Sequence, residues 1–164
     1  MRVVKRDATA ASQREYSKDT MSAVNVTPVV VVSDELLAAC HRLIPQLSSS
    51  SRPITSAELA EIVEGKHTVL FAARSGTEIV GLLTLVVFRI PTAVRAWIED
   101  VVVDESARGS GVGEALSRAA LAEAARCGAK TVELTSRPSR EAANRLYQRI
   151  GFVRRDTNVY RYEV

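Results

Sequence analysis

Residues 101–113, VVVDESARGSGVG, run from an unbroken apolar stretch into three glycines within five positions. The apolar start is typical of a strand, and the residues after Gly113 have helical periodicity, so the glycines form the turn between them. Such a turn leaves backbone N–H groups free to face a ligand, and a helix N-terminus adds about half a positive charge. A plain strand-to-helix turn would carry the same glycines, but the combination favours a phosphate-binding loop.

The spacing of the glycines separates this loop from two common nucleotide-binding loops. No Gly-Lys-Ser/Thr follows, as a P-loop requires, and Gly109-x-Gly111-x-Gly113 is not the spacing of G-x-G-x-x-G. Arg108 stands directly before the glycines, and a fixed cation beside free N–H groups suits a pyrophosphate. The pattern therefore favours a loop that binds a pyrophosphate group but belongs to neither of these two nucleotide-binding types.

The composition is that of one globular domain. The chain has 164 residues, of which 46% are hydrophobic and 25% are charged. No apolar run approaches the roughly 20 residues that span a bilayer, so no membrane segment is predicted. Residues 1–27 carry five basic and three acidic side chains, and residues 28–164 carry 17 and 16. The domain is thus nearly neutral and shows no basic stripe, so no nucleic-acid partner is expected.

Two further features set the domain boundary and the expected compartment. Residues 1–27 are rich in Ser, Thr and Ala and lack the apolar core of a secretory signal, which predicts a disordered tail before one domain at 28–164. Cys40 and Cys127 have no second Cys or His at metal-ligand spacing. We therefore predict no metal site, and two reduced thiols in a cytoplasmic protein.

Apolar periodicity predicts about seven strands and about four helices, in an α/β arrangement of one mixed sheet with helices on its faces. The predicted strands are Val29–Val32, Thr68–Arg74, Glu78–Arg89, Val94–Val103, Thr131–Thr135, Gly151–Val153 and Val159–Tyr162. The predicted helices cover residues 36–47, 55–63, 112–127 and 139–149. Three consecutive strands between residues 68 and 103 exclude the strict strand–helix alternation of a dinucleotide-binding fold.

Residues 101–113 resemble the acyl-CoA-binding motif of the GNAT superfamily of N-acetyltransferases, an apolar strand followed by Arg/Gln-x-x-Gly-x-Gly/Ala and a helix. A second stretch, Asn144–Phe152 (NRLYQRIGF), resembles the family's Asn-x-x-Leu/Phe-Tyr-x-x-x-Gly-Phe segment. The resemblance covers residues 28–164. It implies a mostly antiparallel GNAT sheet and the transfer of an acetyl group from acetyl-CoA to a primary amine, by direct attack in a ternary complex.

The resemblance also implies roles for particular residues. The pantetheine arm would lie along a strand that a bulge opens, where a freed N–H, that of Val101, would stabilise the thioester oxyanion. Asn144 would contact the pantetheine, and Tyr147 would give a proton to the leaving thiolate. The remaining residues implied for acetyl-CoA binding are Val102, Val103, Arg108, Gly109, Ser110, Gly111, Val112 and Gly113.

Two carboxylates, Glu99 and Asp100, directly precede the valines and are the candidates for accepting the proton of the amine. Strand alternation predicts that they point to opposite faces, Glu99 with Val101 and Val103, and Asp100 with Ile98 and Val102. This strand resembles that of glucosamine 6-phosphate N-acetyltransferases, in which both acidic residues lie at the active site. Either carboxylate would act through water or on an already activated amine, and a salt-bridged surface pair is the alternative.

The sequence contains fewer signals for the residues that bind the acceptor. The family builds it from the loop after the first helix and from strand ends, and the acceptor is expected to be a small molecule. A protein N-terminal or lysine amine, an acyl-CoA sensor without catalysis and an acyl group longer than acetyl remain alternatives. A homodimer is possible if residues 158–162 supply a terminal strand to a partner. Candidate acceptor residues, each of which could equally be an ordinary surface or core residue, are Arg52, His67, Arg89, Arg95 and Trp97.

Overall fold

The computed structural model describes residues 24–48 and 50–164, which form one five-stranded sheet with four α-helices. The strands are Asn25–Pro28 (β1), Thr68–Ser75 (β2), Glu78–Ile90 (β3), Ala93–Val103 (β4) and Thr131–Leu134 (β5). The helices are Asp34–Leu47 (α1), Ser56–Glu64 (α2), Val112–Arg126 (α3) and Glu141–Arg149 (α4). Spatial order follows chain order, and every neighbouring pair is antiparallel except the parallel pair β4–β5. The mixed, mostly antiparallel class with four helices is confirmed.

Two helices begin where their local sequence predicts. The Ser33 hydroxyl accepts a hydrogen bond from the N–H of Leu36 at 3.2 Å and caps α1. At α2, the Thr55 hydroxyl accepts from the N–H of Glu58, while the Glu58 carboxylate accepts from the N–H of Thr55 at 2.9 Å. This reciprocal pair is the predicted capping box, and it satisfies two N–H groups that the first helical turn would leave without partners.

The sheet separates two clusters of buried side chains. On one face, called the α3 face, Leu116 of α3 lies in one cluster with Ile98 of β4. On the other, called the α1/α2 face, Leu43 of α1 and Leu59 of α2 lie in one cluster with Val102 of β4. Ile98 and Val102, four residues apart on β4, therefore belong to different clusters, and these clusters identify the face on which each side chain lies.

The N-terminus of α3 packs unusually close to the sheet, at Gly81. A Cβ atom at this position would lie 2.9 Å from Cγ1 of Val112 and 3.1 Å from the carbonyl oxygen of Val102. Both distances are below ordinary van der Waals contact, so only glycine allows this approach. The start of α3 is thereby held against the end of β4.

The first strand lies earlier than predicted. It covers Asn25–Pro28 and pairs with β2, so three residues of the predicted tail at 1–27 belong to the sheet, and residues 1–23 lie outside the described part. The prediction of a strand at Val29–Val32 is wrong. Val30 and Val31 are largely exposed, and the run leads from β1 into α1. A run of valines predicts an extended backbone, but only a hydrogen-bonded neighbour makes it a strand.

The two closing strands predicted at Gly151–Val153 and Val159–Tyr162 are absent, so the sheet of the described residues has five strands rather than seven. Residues 151–164 have no regular secondary structure, and Tyr160 and Tyr162 are almost fully exposed. Alternating apolar residues indicated strands, yet nothing in the described chain pairs with them. The homodimer that would pair residues 158–162 with a second copy stays a prediction.

Candidate active site

The strand β4 changes its pairing near its middle. Residues 95–98 pair with β3 on one side and with β5 on the other. From Glu99 to Val103 the strand has β3 as its only neighbour in the described sheet, so β4 and β5 separate there. Such a gap leaves the backbone N–H and C=O groups of a strand edge available to a bound chain.

A β-bulge lies where the two strands separate. Leu82 pairs with Val102 and Thr84 pairs with Glu99, so two steps along β3 match three steps along β4. Asp100 lies within the shift and has a φ of 50°, in the left-handed region that Asp and Asn tolerate better than most residues. The bulge predicted beside the apolar run is confirmed, and it sets two residues of β4, Asp100 and Val101, against Leu83 alone on β3.

The bulge places both carboxylates on the α1/α2 face. Ile98 and Val101 both pack into the cluster of the α3 face, so Glu99 and Asp100 between them lie on the opposite face. Both carboxylates are exposed. The prediction that the two carboxylates point to opposite faces is wrong. Glu99 does not share a face with Val101 and Val103, and Asp100 does not share one with Ile98. The extra residue of the bulge resets the two-residue alternation of the strand.

The glycine loop forms an open cradle at the start of α3. Gly109 and Gly111 have φ values of 81° and 87°, and a Cβ at either would meet no atom within 4 Å. Among the described residues, no acceptor takes the N–H groups of Gly111, Val112 and Gly113. These donors and the positive end of the helix face one spot, and this geometry fits a pyrophosphate group.

Two polar side chains of this loop turn back onto the protein. Arg108 donates from Nε to the carbonyl oxygen of Val103 at 3.4 Å and from Nη2 to Oε1 of Gln46 at 3.5 Å. The Ser110 hydroxyl donates to the carbonyl oxygen of Ala107 at 2.5 Å. Both side chains brace the loop, and its backbone N–H groups are what it presents to a ligand.

An ion pair that the sequence did not reveal fixes the loop to α1. The buried Asp104 pairs with Arg42 and accepts hydrogen bonds from the hydroxyl and the N–H of Ser106, at 2.6 and 3.0 Å. These bonds from Ser106, together with Gln46 and Arg42, hold the pKa of Asp104 below its usual value despite burial. Arg42 lies 62 residues before its partner, so no local pattern could have paired them.

The helix α4 carries the second predicted motif. The Tyr147 ring meets the Phe152 ring edge to face, with centroids 5.8 Å apart. Burial raises the pKa of Tyr147, and the nearby Arg140 opposes this shift. Asn144, one turn earlier, donates from Nδ2 to the carbonyl oxygen of Arg137 at 3.0 Å. The Tyr147 hydroxyl makes no hydrogen bond to the described residues, so it is free to donate to a ligand.

Close packing brings these elements to one end of the sheet. A Cβ on Gly113 would lie 3.2 Å from Cδ2 of Leu146 and 3.7 Å from Cγ2 of Val103, so α3 meets α4 and β4 there. Arg140, at the start of α4, donates to the carbonyl oxygen of Leu47 at the end of α1, at 2.9 Å. The structure thus gathers the cradle, the free part of β4 and the Tyr147 helix at one end of the sheet.

Three of the five candidate acceptor residues, Arg52, Arg89 and Trp97, lie in different surroundings. Arg52 forms an exposed ion pair with Glu58, with Nη1 3.0 Å from Oε2. Arg89 is exposed and pairs with a residue five positions before Glu99, roughly 16 Å along the strand. Trp97 precedes Glu99 by two residues and shares its face, and its Nε1 is buried without a described hydrogen-bond partner. Of the three, only Trp97 lies beside the carboxylates.

Neither cysteine takes part in this arrangement. Cys40 is buried, which raises the pKa of its thiol, and Cys127 is exposed at the end of α3. Within the described residues, no three His, Cys, Asp or Glu side chains form a group that could hold a metal ion. The same part of the chain contains no helix that is both long and apolar enough to cross a membrane.

Comparisons with known proteins agree with this geometry. A family model described as the acetyltransferase (GNAT) family matches residues 35–152. A transcriptional regulator from Bacillus halodurans C-125 is 27% identical, with a TM-score of 0.73 over 85% of this chain and 100% of that chain. No curated protein sequence matches the chain significantly.

Two more distant solved structures share the fold. An aminoglycoside acetyltransferase from an uncultured soil metagenomic sample, in complex with sisomicin, is 19% identical, with a TM-score of 0.73 over 86% of this chain and 95% of that chain. Glucosamine-6-phosphate N-acetyltransferase from Arabidopsis thaliana is 18% identical, with a TM-score of 0.69 over 85% of this chain and 98% of that chain. At these identities the likeness concerns the fold alone.

Proposed function

The chain belongs to the GNAT family of acetyltransferases, and from this premise we propose that it transfers an acetyl group from acetyl-CoA to the primary amine of a small molecule. The family binds acetyl-CoA, and the cradle at Gly111–Gly113 supplies the N–H donors that a pyrophosphate requires. The solved relatives that act on an aminoglycoside and on glucosamine 6-phosphate make a small-molecule acceptor the natural choice over a protein amine.

One observation carries the proposal. The gap between β4 and β5 opens directly at Glu99 and Asp100, so free strand edge and two exposed carboxylates occur at one place. A strand edge suits the amide groups of a pantetheine arm, and a carboxylate suits an ammonium group. A purely structural bulge would need neither carboxylate.

The proposed chemistry assigns one task to each group. Acetyl-CoA, when bound, supplies an acyl carbon that a neutral amine attacks and a thiolate that leaves. Glu99 or Asp100 takes the proton of the amine through water, and the N–H of Val101, at the bulge, donates to the developing oxyanion. Tyr147 gives its hydroxyl proton to the leaving sulfur, and its raised pKa keeps that proton in place at neutral pH.

The test is release of free thiol from acetyl-CoA in the presence of a panel of primary amines, for the wild type and Tyr147→Phe. We expect thiol release with at least one amine and a fall in kcat of about 10²-fold or more in the variant. Since the pKa of Tyr147 is raised, the wild-type rate should persist into alkaline solution and fall only as the pH rises through that value.

The same experiment separates an enzyme from an acyl-CoA sensor. A sensor would bind acetyl-CoA, measured as thermal stabilisation, without releasing thiol to any amine. In that case Tyr147→Phe would also leave binding unchanged, and the catalytic proposal would be rejected.

A further inference from the structure

A small cavity opens beside the bulge on the α1/α2 face. Its volume is about 70 Å³, and side chains of α1, α2, β2 and β3 form its wall. Most of this wall is apolar, including the buried Leu59, Leu70 and Leu82. Its polar groups are Thr84, Asp100 and the Cys40 thiol, and because Asp100 is exposed, it lies where the cavity meets solvent.

The charges at this cavity favour a cationic guest. Asp100 forms no ion pair with any described residue, in contrast to Glu58, Asp104 and Glu35, which are each paired with an arginine. No cationic side chain lines the cavity. A phosphate group would therefore meet an unpaired carboxylate and no counter-charge, whereas an ammonium group would gain an ion pair.

The size and polarity limit the rest of the guest. A volume of about 70 Å³ is about half that of the roughly 150 Å³ apolar cavity known to hold benzene, so only a small group fits. Polar groups would lose their hydration against the apolar wall without hydrogen bonds in return, so an alkyl group is favoured.

We propose that this cavity is the acceptor site for a short aliphatic primary amine, with the alkyl group among the leucines and the nitrogen at Asp100. The proposal rests on the proposed acetyl transfer and names its acceptor class. It replaces the phosphorylated amino sugar that the acidic strand suggested by resemblance. A short acyl chain of the donor would fit the same apolar wall, but it has no cationic group to pair with the Asp100 carboxylate.

The experiment compares methylamine, propylamine and glucosamine 6-phosphate as acceptors with saturating acetyl-CoA. Because one methylene in an apolar pocket changes kcat/KM by about tenfold or more, we expect propylamine to exceed methylamine by at least that factor. Glucosamine 6-phosphate should be the poorest acceptor. Equal rates for the two alkylamines, or a preference for the sugar phosphate, would overturn the proposal.

Variants at Ile54, a half-buried loop residue that lines the cavity, locate the effect. Ile54→Phe fills the cavity and should abolish the preference for propylamine over methylamine. Ile54→Val enlarges it and should move the preference toward butylamine. If these variants instead changed the preference between acetyl-CoA and butyryl-CoA, the cavity would hold the acyl chain and the proposal would be wrong.

Binding keeps this inference separate from catalysis. Propylamine should raise the Tm of the wild type in the presence of CoA more than methylamine does, and Ile54→Phe should lose the difference. If no amine released thiol while this binding pattern held, acetyl transfer would fail and the cavity assignment would stand. If thiol were released with no alkyl preference and no difference in Tm, acetyl transfer would stand and the cavity assignment would be wrong.

Discussion

The two halves of β4 differ in their pairing: one is hydrogen-bonded within the sheet, and the other leaves one of its edges free. Residues 93–98 pair with β3, and most of them also with β5, and they bury Ala96 and Ile98 in the core. Residues 99–103 pair with β3 alone, begin with two exposed carboxylates and contain the bulge. The paired half stabilises the fold, whereas the free half exposes backbone and charge where a ligand can use them. A sheet can thus host a site by giving up pairing over five residues.

Removing one charge from the free half should have the largest effect. Asp100→Asn is expected to lower kcat by about 10²- to 10⁴-fold, since a general base contributes on that order. Asn tolerates the left-handed backbone of this position, so the Tm should stay near the wild-type value. Steady-state kinetics and thermal unfolding measure the two effects.

The matched control is Glu99→Gln, which removes the same charge one residue earlier. We expect the smaller loss from Glu99→Gln, because Asp100 lines the cavity and Glu99 does not. A larger loss in Glu99→Gln would make Glu99 the proton acceptor and would place the amine outside the cavity.

Shortening a side chain of the paired half should reverse this pattern. Ile98 is almost fully buried, and Ile98→Ala is expected to lower the free energy of unfolding by about 2–5 kcal/mol. Its kcat per folded molecule should fall less than about tenfold, since the residue points away from the carboxylates. Urea unfolding together with kinetics tests this, and a kcat loss as large as that of Asp100→Asn would break the division between the halves.

Asp104, which directly follows the free half, should make the stability of the fold depend on pH. The pKa of Asp104 is lower in the folded protein than the value of about 3.9 in an unfolded chain. Its contribution to stability is therefore complete above about pH 4 and disappears as the pH falls through the folded pKa. Asp104→Asn should cost about 1.5–3 kcal/mol at pH 7 and flatten the acid side of the stability curve, measured by urea unfolding.

An unchanged acid limb in Asp104→Asn would mean that other carboxylates govern the loss of stability. Arg42→Met, which removes the partner of Asp104 and keeps much of the side-chain volume, should produce a smaller loss at pH 7. The hydrogen bonds from Ser106 remain in that variant.

The smallest effect is expected far from β4, at Arg52. Its guanidinium holds the pKa of Glu58 at about 2, but the ion pair is exposed, and the Thr55 cap of Glu58 remains without it. Arg52→Ala should therefore leave stability within experimental error and change kcat/KM by less than about twofold. A large rise in the KM for the amine would instead indicate that Arg52 contacts the acceptor.

Local sequence was sufficient to predict much of the fold. The Thr55–Glu58 capping box and the turn at Gly109–Gly111 follow from residue types within a few positions of one another. The bulge followed from the resemblance, and its position is set by the pairing of β4 with β3. The closing strands could not be judged in this way, because a strand exists only where another strand accepts its hydrogen bonds.

The candidate site divides along the same line. The sequence contains the residue types around Glu99, Arg108 and Tyr147 in an order that resembles the GNAT family, and this resemblance implied acyl transfer. Three features were decided only by tertiary structure: the common face of Glu99 and Asp100, the pairing of Asp104 with Arg42, and the cavity under α1 and α2. The reason is physical, since one extra residue in a strand reverses its faces, and ion pairs and cavities depend on residues far apart in the sequence.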